Sequence, residues 1–352
     1  MAVVSTRYWH RLPDGRLQCD VCPRACRLRD GQRGFCFVRE RRGDEIVLTA
    51  YGKASGLAID PIEKKPLHHF LPGSSVLSFG TAGCNLACRF CQNWELSAAR
   101  AADATAVEAE PEWLADAAVR SGCESVAFTY NDPAVFLEYA VDTARACRRR
   151  GVASVAVTAA YTTPDAAADL LGACDAANVD LKAPTDEFYR RLCGGRIAPV
   201  QEVLRWLVGE TQVWTEVTTL LIPGHNDGDD EVAALSRWIA EDLGPDVPLH
   251  LSAFHPAHRM RHVPPTPLAT LRRARRIARS QGLRFVYTGN VRDPEGEATS
   301  CPSCGAVLIE RRGYTVRLRD LDEAGRCRRC AAVIPGRFDR GELPGSPGGA
   351  RR

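Results

Sequence analysis

The feature that most restricts the fold of this chain is a regular alternation of short β-branched runs and longer helical patterns between residues 76 and 289. Repeated βα alternation predicts a parallel sheet covered by helices. The predicted strands are 76–79, 125–129, 154–158, 178–181, 217–222, 249–253 and 285–287. Proline after a polar residue, as at Asp132-Pro133, marks helix starts between them because proline is tolerated at the first helical position. The pattern predicts an α/β fold, a partial (β/α)6 TIM-type barrel.

Cysteine is the other unusual feature, with 15 in 352 residues. No apolar run is long enough to span a membrane, and residues 1–7 lack the apolar core of a secretion signal. We therefore expect a cytoplasmic protein without a membrane partner, in which clustered thiols bind metal rather than form disulfides. A net charge of +3 is too small to indicate a nucleic-acid partner. Four scattered cysteines are interpreted as buried small hydrophobes: Cys123, Cys147, Cys174 and Cys193.

The middle cysteine group has the spacing C-x3-C-x2-C, formed by Cys84, Cys88 and Cys91. Electron-carrier [4Fe-4S] clusters are held by four thiolates. Three thiolates leave one iron with an open position, which indicates a centre that does chemistry. The alternatives are a three-cysteine zinc site and buried free thiols. The loop directly follows the first predicted strand of the barrel, at the end where such barrels carry their active residues.

Several segments together resemble a known family. They are residues 60–70, the 84–93 loop, 129–133, 179–182 and 223–227. With Phe90 before the third cysteine, the chain resembles the activating-enzyme branch of the radical S-adenosylmethionine (SAM) superfamily, similar to pyruvate formate-lyase activase. It resembles most the radical SAM enzymes of the AmmeMemoRadiSam system. The resemblance implies that SAM binds the open iron and is cleaved reductively to a 5′-deoxyadenosyl radical, which abstracts hydrogen from a substrate.

The same resemblance implies roles for five further residues. Phe90 would pack near the SAM adenine, and Asn131 and Asp132 would lie where the SAM ammonium group binds. Relatives carry Glu at the second of these positions, so Asp132 reaches less far, and an N-cap before Pro133 is its alternative role. Lys182 and His255 would face the SAM carboxylate, the alternatives being a surface lysine and a solvated loop histidine.

Two more cysteine groups flank the predicted barrel. Cys301, Cys304, Cys327 and Cys330 form two C-x2-C pairs, a pattern that indicates structural zinc, with a second iron–sulfur cluster as the alternative. Cys19, Cys22, Cys26 and Cys36 have spacings that permit either zinc or an auxiliary cluster, and structural zinc is the preferred prediction. The expected cofactors are thus a [4Fe-4S] cluster, SAM and zinc.

The predicted organisation has five parts. They are an N-terminal cysteine-rich element (1–50), a linker segment packing on the core (51–73), the radical SAM core (74–297), a zinc-ribbon-like element (298–335) and a disordered tail (336–352). The expected partners are SAM, a flavodoxin- or ferredoxin-like reductant and a protein substrate. Two other functions stay open: radical modification of RNA, because Arg272–Arg279 form a basic helix beside the ribbon, and a non-catalytic zinc-binding scaffold.

Overall fold

The computed structural model describes residues 3–100 and 106–339, and its N-terminal part consists of short antiparallel strands. These are β1 (Val4–Ser5), β2 (Trp9–Arg11), β3 (Leu17–Cys19), β4 (Arg27–Leu28), β5 (Arg39–Arg42) and β6 (Glu45–Leu48). They form two three-stranded sheets, ordered β1-β6-β5 and β2-β3-β4. Leu17, Ile46 and Leu48 are fully buried and belong to the same hydrophobic core as the barrel. The N-terminal element therefore packs on the barrel without a separate core.

The centre of the molecule is a nine-stranded sheet. Its strands are β7 (Lys53–Pro61), β8 (Ser75–Gly80), β9 (Val107–Glu108), β10 (Ser125–Phe128), β11 (Ala153–Thr158), β12 (Ala176–Asp180), β13 (Trp214–Leu221), β14 (Leu249–Ala253) and β15 (Val286–Gly289). The order is β15-β14-β13-β12-β11-β10-β8-β7-β9. Strands β8 and β10 to β15 are parallel, whereas β7 and β9 extend the β8 edge in antiparallel pairing.

Helices join the seven parallel strands through six crossovers. The helices of these crossovers are α1 (Trp94–Ser97), α2 (Pro111–Arg120), α3 (Leu137–Arg148), α4 (Pro164–Gly172), α5 (Asp186–Phe188), α6 (Ala198–Glu210), α7 (Asp229–Trp238) and α8 (Leu268–Ser280). One more helix, α9 (Pro294–Glu297), follows β15. Pro133 opens a short 3₁₀ helix (Pro133–Phe136) that leads into α3, and proline also opens α2 and α4. The predicted α/β fold, a partial barrel with six strand–helix units, is confirmed. Because the strands are parallel, their carboxyl ends meet at one edge, where the cysteine loop begins after β8.

A second small core lies under the C-terminal element. Strands β16 (Thr299–Ser300), β17 (Val307–Arg312) and β18 (Thr315–Leu318) form an antiparallel sheet. Leu308 and Ile309 pack against Phe285 and Tyr287 of the barrel. The buried Arg311 donates to the backbone carbonyls of Glu297 and His68 and so joins the ribbon to the barrel.

The predicted tail begins with residues that pair with the barrel. Arg337 N donates to the His69 carbonyl at 2.7 Å, and Leu71 N donates to the Arg337 carbonyl at 2.8 Å. The rest of that prediction, residues 340–352, lies outside the described residues. The five domain boundaries stay predictions. Within residues 3–100 and 106–339, no helix is both long and apolar enough to cross a membrane.

Candidate active site and metal centres

The three-cysteine loop lies at the carboxyl edge of the parallel sheet. Cys84, Cys88 and Cys91 are each half-buried and line one cavity of about 390 Å³. The wall of this cavity also includes residues that follow β10, β11, β12 and β15. A volume of this size suits a small-molecule ligand. The fold therefore brings the three thiols to a ligand-sized space at the end of the barrel where the sequence places them.

Hydrogen bonds from distant segments hold the loop in place. The Asn131 side-chain amide donates to the Gly83 carbonyl at 2.7 Å, and its oxygen accepts from Thr81 N at 3.2 Å. Behind the loop, Ala87 N donates to the Cys193 carbonyl at 2.8 Å. Asn131 was predicted to lie beside SAM. It does line the cavity, but its amide is engaged in fixing the cysteine loop.

The thiols of this loop are protonated when no metal is bound. Burial raises the pKa of Cys84 to about 12 and also raises the pKa of Cys91. A hydrogen bond with the buried Cys193 thiol, together with burial, raises the pKa of Cys88. Metal binding must displace these protons, and it thereby offsets the cost of burying thiolates.

Cys193, between α5 and α6, contacts Cys88 of this loop, and the sequence did not associate the two residues. It is fully buried and, unlike Cys84, Cys88 and Cys91, it does not line the cavity. Its separation of about 100 residues along the chain hides this contact. The cavity is therefore lined by three thiols, which fits a [4Fe-4S] cluster with one iron left open to a ligand.

Asp132 acts as a helix N-cap, one of the two roles weighed for it. Its Oδ1 accepts from Ala134 N at 3.0 Å and from the Thr158 hydroxyl at 3.1 Å, and its Oδ2 accepts from Ala159 N at 3.1 Å. Burial raises the pKa of this carboxyl group. Asp132 nevertheless lines the cavity.

Lys182 and Phe90 lie next to each other on the cavity wall. The Lys182 ammonium donates to Asp180 Oδ2 at 3.0 Å and stands 5.9 Å from the centre of the Phe90 ring. Burial by itself would lower the pKa of Lys182, but the neighbouring Asp180 carboxylate acts in the opposite direction, and the pKa lies well above its usual value. The lysine is therefore charged, with its side chain 13% exposed toward the cavity. Phe90 also packs on Phe188, at 5.8 Å between ring centres.

His255 lies in a second cavity of about 580 Å³ that adjoins the first. The two cavities share Lys64, Gln92, Asn290 and Tyr314 among their lining residues. His255 is exposed and lines the second cavity but not the first, and its role toward SAM stays a prediction.

Tyr314 belongs to the turn between β17 and β18, so the C-terminal ribbon forms part of the wall of the three-cysteine cavity. No signal in the sequence indicated this, because the contact joins segments that are far apart along the chain.

The C-terminal quartet is arranged for one metal ion. Its four ligand sulfurs all lie within 4.8 Å of one another, a property found in no other group of three or more potential ligands in the described ranges. Cys301 and Cys330 are 3.6 Å apart at Sγ, as are Cys304 and Cys327. Zinc–sulfur bonds of about 2.3 Å in a tetrahedron put sulfurs about 3.8 Å apart. The observed spacing fits a tetrahedral four-thiolate ion.

The N-terminal quartet is arranged differently. Cys19, Cys22, Cys26 and Cys36 line a single small cavity together with the buried Arg39. Burial raises the pKa of Cys19 to about 12, and the Arg39 guanidinium opposes that rise. The four cysteines thus converge on one site. Their sulfurs, however, do not all lie within 4.8 Å of one another, as the C-terminal sulfurs do.

The arginines of α8 are largely occupied by acidic neighbours. Arg272 pairs with Asp293 at 2.8 Å and Arg275 with Glu295 at 3.3 Å. Arg273 pairs with Asp229 at 2.9 Å. Phosphate contacts need accessible cations. Three of the five arginines of α8 therefore have acidic partners, and the alternative of RNA modification stays a prediction.

Comparison with known proteins relates this geometry to a family. A family model described as the radical SAM superfamily matches residues 79–236. Uncharacterized protein MJ0808 of Methanocaldococcus jannaschii is 39% identical over 328 residues, 93% of this chain and 97% of that protein. Streptococcus suis SuiB bound to precursor peptide SuiA has a TM-score of 0.50 at 14% identity, over 65% of this chain and 51% of SuiB. A domain of a pyruvate-formate lyase-activating enzyme from Bacteroides vulgatus has a TM-score of 0.42 at 16% identity, over 47% of this chain and 98% of that domain.

Proposed function

This chain belongs to the radical SAM superfamily, whose members are enzymes that use a [4Fe-4S] cluster and SAM, and we propose that Cys84, Cys88 and Cys91 hold its catalytic cluster. The observation that carries the proposal is that these three cysteines, and no fourth, line a cavity together with Lys182 and Asp132. When bound, the cluster supplies the electron that cleaves SAM to methionine and a 5′-deoxyadenosyl radical. The protein contributes binding, orientation and exclusion of water.

The polar side chains of the cavity suit the two charged ends of the methionine part of SAM. The Lys182 ammonium is fixed by Asp180 and faces the same space as Cys88, where a carboxylate would gain a charge-assisted contact. The Asp132 carboxylate is held by three donors, and this residue of the cavity wall would supply negative charge to an ammonium group. The apolar ring of Phe90 keeps water from the cysteines and offers a flat face to the adenine.

The second cavity would hold the substrate. It adjoins the first through Asn290 and Tyr314, so a group in it can reach a radical formed beside the cysteines. Its walls carry His68, His250 and Arg311, a polar lining suited to a peptide-like substrate. SuiB, with which this chain shares its fold, was crystallised with a precursor peptide. The substrate class we propose is an exposed segment of a partner protein, as for an activating-type enzyme of the AmmeMemoRadiSam kind.

The C-terminal quartet would bind zinc and act structurally. Four thiolates complete the coordination of a tetrahedral ion and leave no open position for chemistry. The ion would hold the ribbon, which in turn places Arg311 and Tyr314 at the substrate cavity. We further propose a cytoplasmic location, since three groups of unpaired cysteines need a reducing compartment, and a flavodoxin- or ferredoxin-like protein as the electron donor.

The test is SAM cleavage by anaerobically purified, reduced protein. The wild-type protein should form 5′-deoxyadenosine and show an electron paramagnetic resonance signal that SAM perturbs. Cys91→Ala should abolish both, because one of the three ligands is lost. Cys123→Ala is the matched control, since Cys123 is also a buried cysteine but lies outside all three groups. A Cys91→Ala variant that cleaves SAM at the wild-type rate would refute the assignment.

A further inference from the structure

Cysteine spacing alone does not show whether the N-terminal quartet binds zinc or an iron–sulfur cluster. The quartet consists of Cys19, Cys22, Cys26 and Cys36. These residues come from the end of β3, the turn between β3 and β4, and the loop before β5. The structure brings all four to one cavity of about 20 Å³. Convergence of four free cysteines from separate turns is itself evidence of a metal centre, because chance burial would scatter them.

The separation of the sulfurs distinguishes between the two possible occupants. In the C-terminal quartet the sulfurs lie within 4.8 Å of one another, as a single ion requires, and the N-terminal sulfurs do not meet this limit. Four sulfurs at about 2.3 Å from a zinc ion would leave no space between them for a water molecule. The cavity lined by the N-terminal quartet exceeds the ~10–15 Å³ that one water needs.

We propose that Cys19, Cys22, Cys26 and Cys36 bind a second, four-thiolate [4Fe-4S] cluster. In such a cluster each thiolate binds its own iron at a separate corner, so the sulfurs stand farther apart than around one ion. The iron–sulfide core would then lie at the cavity that the four cysteines line. This inference reverses the sequence-based preference for structural zinc at this position, and it does not depend on the proposed catalytic cluster.

The surroundings of the quartet suit an anionic cluster. Arg39 lines the cavity with its side chain only 2% exposed, and its positive charge acts on Cys19 and Cys36. Arg39 also pairs with Glu138 at 2.7 Å, which fixes the guanidinium in place. Phe35 N donates to Cys26 Sγ at 3.4 Å. Backbone N–H groups that point at the sulfurs stabilise reduced clusters and set their potential.

The quartet also lies directly against the three-cysteine loop. Asn85, the residue after Cys84, lines the N-terminal cavity as well. Arg24 donates to the Asn85 carbonyl, and also to the Gly194 carbonyl at 2.8 Å. Gly83 is so close to Cys36 that a Cβ on the glycine would stand 2.1 Å from the Cys36 carbonyl oxygen. The second cluster therefore occupies the junction between the N-terminal element and the active site.

The experiment uses the full chain with its catalytic cysteines removed. The triple variant Cys84→Ala, Cys88→Ala, Cys91→Ala is purified anaerobically and reconstituted with ferrous iron and sulfide. We expect about four irons and four sulfides per chain to remain, against about eight of each in the wild-type protein. Dithionite reduction should give a paramagnetic signal that SAM leaves unchanged. Retention of zinc with no iron, or of two irons and two sulfides, would overturn the proposal.

A second variant keeps the test informative if the triple variant does not fold. Cys19→Ser with Cys36→Ser should halve the iron and sulfide of the otherwise wild-type chain. The matched control, Cys301→Ser with Cys304→Ser, should leave iron and sulfide unchanged. Full iron content in the N-terminal variant would overturn the proposal.

The two proposals fail in different ways. If the catalytic assignment fails, the wild-type protein lacks a SAM-perturbed signal, yet the triple variant still holds its four irons. If the assignment of the second cluster is wrong, the wild-type protein still shows the SAM-perturbed signal, but the triple variant holds no iron.

Discussion

The contact between Gly83 and Cys36 leads to a quantitative prediction for Gly83→Ala. Gly83 has a φ of +86°, in the left-handed region, and its backbone touches the Cys36 carbonyl. Gly122 is the matched control: its φ is +65°, but nothing lies within 4 Å of where its Cβ would be. Both substitutions therefore add the same methyl group to a left-handed residue, and only the first creates a collision with backbone.

The structure sets the expected difference. Alanine in the left-handed conformation costs about 1–2 kcal/mol at either position. At Gly83 the new Cβ would stand 2.1 Å from a backbone oxygen, and real Cβ atoms essentially never come closer than 3.0 Å. The two backbones must therefore part by about 0.9 Å, and overpacking of a close-packed contact costs about 1–3 kcal/mol more. We expect Gly83→Ala to lower the free energy of unfolding by about 2–5 kcal/mol, and the control by about 1–2 kcal/mol.

The measurement is urea unfolding of both variants, followed by circular dichroism, together with iron content. Because Gly83 precedes Cys84, the displacement should also lower the iron retained by the three-cysteine loop, and Gly122→Ala should retain the wild-type amount. Equal stability losses in the two variants, with equal iron, would show that the Cys36 contact is not tight. The packing argument for the junction would then be refuted.

Four other predictions test separate parts of the molecule. Burial lowers the pKa of His69 to about 4, whereas the histidine of the unfolded chain binds a proton below about pH 6.5. The free energy of unfolding should therefore fall as the pH drops from 6.5 toward 4. His69→Gln should flatten the pH dependence of the urea midpoint. Cys304→Ser should remove about one zinc per chain by elemental analysis while iron stays constant. Asn131→Ala deletes the donor to the Gly83 carbonyl, so about 1–3 kcal/mol of stability should be lost in urea unfolding, together with bound iron. Lys182→Met should weaken SAM binding about tenfold or more in equilibrium dialysis, with Lys182→Arg intermediate, and unchanged binding in Lys182→Met would exclude the carboxylate contact.

Local patterns along the chain account for much of the architecture. The seven β-branched runs each became a parallel strand because a strand buried on both faces needs consecutive apolar residues, whatever its partners are. Proline at the starts of α2 and α4 favours the first helical position through its own ring, which fixes φ and lacks an N–H. This helix-start signal therefore also depends only on local sequence. The three-cysteine loop is also a local feature, because all three of its cysteine ligands lie within eight consecutive residues.

Side-chain roles were harder to assign from the sequence. Asp132 was weighed as a SAM contact or an N-cap, and only the folded chain shows its three donors, two of which come from the next strand and its loop. The Asn131 amide was expected beside SAM, but it binds Gly83, 48 residues earlier in the chain. The hydrogen-bond partners of such side chains depend on which distant polar groups the packing leaves without partners. The sequence alone does not identify those groups.

The amino-acid sequence by itself determined that this chain is a βα barrel with three groups of clustered thiols, because short-range periodicity and spacing carry that information. Only the tertiary structure decided how far apart the sulfurs of each group stand, that Cys193 lies behind Cys88, and that the ribbon places Tyr314 in the active cavity. The last two contacts join segments 100 or more residues apart, which only the packing of the folded core brings together. Spacing along a chain limits which residues can meet, but the close-packed core determines where they meet.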